Sequence, residues 1–322
     1  MKYEILHRNL LIQFRNRIPH NSTLVTKLVE ILFLEREAVY RRLRREVPFT
    51  FEEITVIAVE FNISLDSMLG VDVRSTNPFQ VQSDEKNHSE EFDHLLLEKY
   101  THALKEAASD SKGEISLITN LLPQLLSMGF KSIFRFYYFK WHYYSIPTDL
   151  SKSYHEIVPS DRLNQTIEDI YLYSKNIKTG YYILDNRIIH NFVNDVSYFN
   201  SIRLIKDEDV LLIKNELFQF LDYMENVAAR GFADNPANKI IIYTSDISID
   251  TTYSYVDSAS SPRFILIWSF IFNSQLIYDE ETLNMIRHRI RSQIRTSTLL
   301  SVAGEKQRTL YFETQRRIVD AL

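Results

Sequence analysis

The 322-residue sequence contains no cysteine. A disulfide framework, a thiolate metal site, an iron–sulfur cluster and a cysteine nucleophile are excluded together, and the composition fits a reducing cytosol. Glycine is the second scarcity, with six residues in the whole chain, about 2% where about 7% is usual. Phosphate-cradling loops and dinucleotide folds use glycine for close backbone approach, so a P-loop, a Rossmann fold or a methyltransferase-like site is disfavoured. Long apolar runs are missing too. The longest, Phe264–Phe272 (FILIWSFIF, broken only by Ser269), is far short of the ~20 residues of a membrane-spanning helix and reads as a buried strand. Arg8, Arg15 and Arg17 break up the N-terminal segment, which therefore lacks a signal-peptide core. A cytoplasmic location without membrane contact is expected.

What is present looks globular. Hydrophobic residues make up 45% and charged residues 25%, and the length suggests about two domains. Few glycines, eight prolines and abundant Leu, Ile, Tyr, Phe and Glu point to a mainly α protein with short connections. The net charge is −5, yet residues 1–45 hold ten Lys/Arg against four Glu. Polyanion binding is a local matter, so this basic segment counts for more than the total.

Five short helices fit into the first 70 residues. The first covers 3–17 and is stopped by Pro19. Asn21, Ser22 and Thr23 offer caps for a second, with Leu24, Leu28, Ile31 and Leu32 on one face. After a break at Phe33–Leu34 a third opens at Glu35, with Val39 and Leu43 as its core pair and Arg41 nearly opposite. Thr50-Phe51-Glu52-Glu53 is a capping box. It opens a fourth helix burying Ile54, Ile57, Ala58 and Phe61, and Ser64 caps a short fifth that ends at Gly70. The segments LVEILFLEREAVYRRLRRE (28–46) and TFEEITVIAVEFNISLDSMLG (50–70) resemble the lambda-repressor/Cro-like (Xre-type) helix-turn-helix family. In that family the turn between the second and third helices usually carries glycine; here Phe33 stands there.

The resemblance implies a third helix in the major groove of double-stranded DNA. By position, Arg36, Glu37 and Arg41 would meet base edges. Tyr40, Arg44 and Arg45 would lie nearer phosphates, and Ser22 and Thr23 would present the second helix's start to a phosphate. Arg can bond guanine O6 and N7 bidentately, and Glu can accept from cytosine N4. The plainer reading of the same residues is a solvated helix face with a Glu37–Arg41 ion pair.

Residues 71–90 are polar, contain Pro78 and read as a linker. From 91 to 322 we expect an α-rich dimerisation and effector domain. Its helices are read near 92–108, 116–128, 132–144, 161–175, 186–205, 207–229, 280–295 and 304–321, with a small antiparallel sheet near 239–278. Glu90, His94, Glu98 and His102 recur at i+4 but read as a solvated stripe. Phe134–Tyr144 holds eight aromatics in eleven residues and reads as core, or as an effector pocket with His142 as a polar anchor. His190, Asn194 and Asp195 read as a structural cluster, since no nucleophile elbow or HExxH accompanies them. Eight Lys/Arg between 287 and 317 form a second basic stretch, facing DNA flanks, the acidic remainder of the domain or a second subunit.

The combined expectation is a dimeric transcriptional regulator of bacterial type that binds a specific DNA site. It senses a ligand or protein through its C-terminal domain, and calls for no catalytic residue, metal or cofactor. The alternative is a C-terminal enzyme of unknown type with the N-terminal module as a tether or interaction module.

Overall fold

Leu24 and Leu28, four residues apart, drive the first helix of the computed structural model, which describes residues 21–61, 90–145, 152–259, 264–268, 274–277 and 280–322. The chain divides into two units, Met1–Gln82 and Ser83–Leu322. In the first, α1 (Asn21–Leu32), α2 (Arg36–Leu43) and α3 (Phe51–Glu60) close around Leu24, Leu28, Val39, Phe49, Ile57 and Phe61. The capping box forms as its spacing demands: Glu53 N–H donates to Thr50 Oγ1 at 3.2 Å, and Thr50 N–H to Glu53 Oε2 at 2.9 Å. The helices expected at 3–17 and beyond Ser64, and residues 71–89 of the expected linker, lie outside the described residues.

The second unit is mainly helical and carries a small sheet. Its order is α4 (Glu90–Ser109), β1 (Glu114–Thr119), α5 (Gln124–Ser127), α6 (Lys131–Ser145), α7 (Asp161–Asn176), β2 (Thr179–Asp185), α8 (Ile188–Ser201), α9 (Asp207–Arg230) and β3 (Lys239–Ser245). Then come β4 (Thr252–Asp257), β5 (Phe264–Trp268), β6 (Ser274–Ile277), α10 (Glu280–Thr296), β7 (Thr298–Leu299) and α11 (Glu305–Asp320). The sheet runs β6-β5-β4-β1-β2-β3-β7.

Two expectations are corrected here. The sheet is mixed: β1, β2 and β3 pair in parallel, and only the flanks β4–β5–β6 and β7 are antiparallel. The helix read over 116–128 is strand β1 followed by the one-turn α5. Both differences have one cause. Parallel strands need long helical crossovers and are covered on both faces, so they run apolar instead of alternating. ISLIT in β1 and YYILD in β2 are such runs, which periodicity cannot tell from buried helix. Along β1, Ile115 and Leu117 enter the large helical core, while Ile118 faces the opposite side with Ile183, Tyr253, Tyr255 and the α10 residues Leu283 and Ile290. On that side burial pushes the Tyr253 phenol up to about 12, against the pull of Arg289. It stays neutral and donates to Gln293 Oε1 at 3.0 Å.

The aromatic run belongs to α6 and is core up to Trp141, with Tyr143 half-buried and Tyr144 exposed at its end. Phe136 and Phe139 are fully buried; Phe136 meets Phe192 edge-on at 4.9 Å and Phe139 meets Phe199 at 5.0 Å. A cleft of about 280 Å³ opens beside its first turn, among Met128, Lys131, Phe134, Arg135, Ile167 and Glu168.

Candidate nucleic-acid interface

The sequence LFLE places only three residues, 33–35, between α1 and α2. Turning the chain from one packed helix into the next in so few residues is eased by a left-handed backbone position, and Phe33 supplies it with φ +53°. A side chain there costs about 1–2 kcal/mol relative to glycine. Phe33 recovers none of this by packing, because it is 93% exposed. The turn therefore keeps its tight form without the glycine that usually makes it easy. Phe33→Gly should raise the stability of the N-terminal unit by about 1 kcal/mol. Chemical denaturation followed by hydrogen exchange in α1–α3 measures this; a loss of stability would show that the ring packs.

At the other end, α2 is closed by a second left-handed residue, Arg45 (φ +69°). Arg45 N–H donates to Arg42 O at 3.1 Å and Glu46 N–H to Arg41 O at 2.9 Å, the paired bonds of a Schellman ending. Arg45 thus lies past the helix and not on one of its faces.

Between these ends α2 has two sides. Val39 is fully buried and Leu43 packs against the same core. Arg36, Glu37, Tyr40, Arg41 and Arg44 are exposed. Arg36 Nη2 donates to Thr26 Oγ1 of α1 at 3.2 Å, and Thr23 and Lys27 of α1 are exposed as well. The side chain of Ser22 lies outside the described residues. Glu37 pairs with Arg44 at 2.6 Å, whose Nε also meets Glu46 at 3.1 Å, and Arg41 reaches Glu46 at 3.6 Å. Glu37 thus pairs with Arg44 and not with Arg41, the partner it has in the plainer reading. All of these pairs are exposed, worth about 0–1 kcal/mol each, and readily exchanged for a phosphate or a base edge.

Arg42 is the residue that the sequence reading overlooked. Its Nε and Nη2 bind Glu53 Oε2 and Oε1 at 2.9 and 2.7 Å, and its Nη1 donates to Ala38 O at 3.3 Å. Both side chains of the pair are about 15% exposed. Glu53 therefore caps α3 and clamps α2 at once, fixing how the exposed arginine face is presented. The available signal was the capping-box glutamate following an arginine cluster.

Residues 6–108 match the BetR domain family. That family is a helix-turn-helix type of DNA-binding domain found in regulators. The match covers about a third of the chain and runs past the N-terminal unit through nearly all of α4. The helix-turn-helix part of the resemblance read from 28–70 is shared with the BetR match; the lambda-repressor affiliation is not part of it. No curated protein and no solved structure matches the chain.

The other candidate clusters separate on folding. On α4, His94 is buried one turn before Leu97, on the core face and not in a solvated stripe. Glu98 binds Arg162 at 2.6 Å and His102 lies 3.8 Å from Glu106. His190 Nε2 meets the Asn194 amide at 3.0 Å, while Asp195 pairs with Lys140 instead. In the second basic stretch, Arg316 binds Asp222 and Glu225 at 2.7 and 2.6 Å, Arg287 approaches Asp257 at 3.7 Å, and Arg308 donates to Leu300 O and Val302 O. Those three arginines serve their own unit. No described helix is long and apolar enough to cross a membrane.

Proposed function

We propose that the chain is a cytoplasmic, sequence-specific transcriptional regulator without a catalytic step, whose α2 enters the major groove in the lambda-repressor manner. Residues 1–70 form the DNA-binding domain and 71–90 the linker; residues 91–322 dimerise it and receive an effector. The observation that carries this reading is a clamped helix with one edge packed on the core (Val39, Leu43) and one exposed edge bearing Arg36, Tyr40, Arg41 and Arg44, inside the region that matches a DNA-binding family.

In this role Arg36, Glu37 and Arg41 read base edges. Arg44, Arg45 and Tyr40 hold phosphates, as do Ser22 and the exposed Thr23 at the start of α1. A single module covers one half-site, so pairing of two copies on a palindrome raises affinity. The cleft, lined by Arg135 and Lys131 as well as Glu168 and apolar side chains, suits a small molecule with an apolar body and a charged end.

Selection of duplexes from a random pool by the purified full-length protein tests the reading. An enriched, twofold-symmetric motif supports it. A pool that stays random, with no retained duplex, refutes it.

A further inference from the structure

Segment 152–160 and the first turn of α9 bring His155 to the adjacent carboxylates Glu208 and Asp209, some fifty residues on in the sequence. His155 Nε2 lies 2.8 Å from Asp209 Oδ2 and 3.8 Å from Glu208 Oε1, and one ligand atom from each residue falls within 4.8 Å of the others. Asp209 is only 4% exposed, and its Oδ2 is buried without a hydrogen-bond partner. The 2.8 Å approach to the imidazole is an ion-pair contact that lacks hydrogen-bond geometry at the oxygen. A buried carboxylate oxygen left in that condition is costly, and a shared cation relieves it.

We propose that His155, Glu208 and Asp209 bind one divalent transition-metal ion of the zinc type, a property beyond the DNA-binding reading. Metal–ligand bonds of about 2.0–2.2 Å at tetrahedral or octahedral angles put neighbouring ligand atoms roughly 2.8–3.5 Å apart. The His155–Asp209 spacing meets that range, and a small rotation of the exposed Glu208 brings its oxygen in from 3.8 Å. One imidazole with two carboxylates suits a borderline cation, whereas magnesium prefers oxygen ligands and retained water.

The surroundings hold the imidazole in place. Arg135 Nη2 donates to the carbonyls of Tyr154 and His155 at 3.1 and 3.3 Å. Its guanidinium lies 4.6 Å from the centre of the Tyr154 ring, and Tyr154 N–H donates to Leu204 O at 2.9 Å. Three charges act against a cation: the α9 N-terminus, worth about half a positive charge, Lys206, 3.6 Å from Glu208, and the Arg135 guanidinium, which is held on the His155 carbonyl. Two carboxylates exceed the first, and the Lys206 pair is exposed and displaceable. The ligands come from positions 155, 208 and 209, so no local sequence spacing announces them.

The test is a calorimetric titration of the chelator-stripped full-length protein with Zn²⁺, then with Mg²⁺, paired with thermal unfolding. One Zn²⁺ per chain is expected, with a rise in Tm and with Mg²⁺ far weaker. His155→Ala and Glu208→Gln should each weaken Zn²⁺ binding at least about tenfold. Both side chains are exposed, and circular dichroism confirms that each variant folds. Zn²⁺ affinity unchanged in both variants, or a wild-type Kd above about 0.1 mM, overturns the proposal. The readout does not involve DNA, so it stands or falls apart from the regulatory reading.

Discussion

Arg42→Ala is expected to destabilise the N-terminal unit by about 3 kcal/mol, the low end of what breaking a buried ion pair costs. The removed guanidinium leaves the Glu53 carboxylate, about 15% exposed, without its bidentate partner, and it releases the contact to Ala38 O. A small helical unit has only a few kcal/mol to lose, so hydrogen exchange of amides in 24–60 should accelerate by about a hundredfold. Exchange in α4–α11 should hardly change. Arg44→Ala, which touches only exposed partners, should stay within about 1 kcal/mol of the parent. Equal protection in the two variants would remove the clamp from the account.

Arg41→Ala is expected to act on binding and leave folding alone. The Arg41 side chain is 54% exposed, and its recorded ion-pair partner is the exposed Glu46 at 3.6 Å. Loss of a bidentate guanine contact costs about 1–3 kcal/mol and relaxes preference at one base pair. On a symmetric site the mate position relaxes with it. Arg44→Ala should instead weaken all sequences alike and lower the salt slope by about one. It also frees Glu37, its 2.6 Å partner, which adds a modest like-charge penalty near the phosphates. Binding profiles over single-base variants of the selected site separate the two. Uniform and equal losses would mean that α2 is rotated about its axis relative to the groove.

Within the described part of the N-terminal unit, residues 21–61, the three helices were legible because their signals are local. The Leu24/Leu28 and Val39/Leu43 spacings and the Thr50–Glu53 box each act within one helical turn or cap, and each appears where the pattern put it. What stayed hidden depends on partners distant in sequence or on backbone geometry. Arg42 looks like any other member of the arginine cluster until Glu53, eleven residues on, reaches it. Phe33 gives no sign that it takes a left-handed conformation without burial in exchange.

In the second unit the long helices were visible from their periodicity. The centre of the sheet was not, because strands covered on both faces lose the alternation that marks a strand. β3, β4, β5 and β6, at 239–277, were found; β1 and β2, the strands between β4 and β3, were not. The same limit applies to His155, Glu208 and Asp209, which only the fold brings together.

The measurement that bears most directly on the central claim is the salt dependence of binding between the full-length protein and its selected duplex. Anisotropy titrations between 50 and 200 mM salt should show log K falling linearly with log salt, by about 0.9 for each phosphate neutralised. The slope should drop by about one unit in Arg44→Ala and stay unchanged in Arg41→Ala. A slope near zero, or no affinity for any duplex at low salt, would contradict the assignment of α2 to DNA.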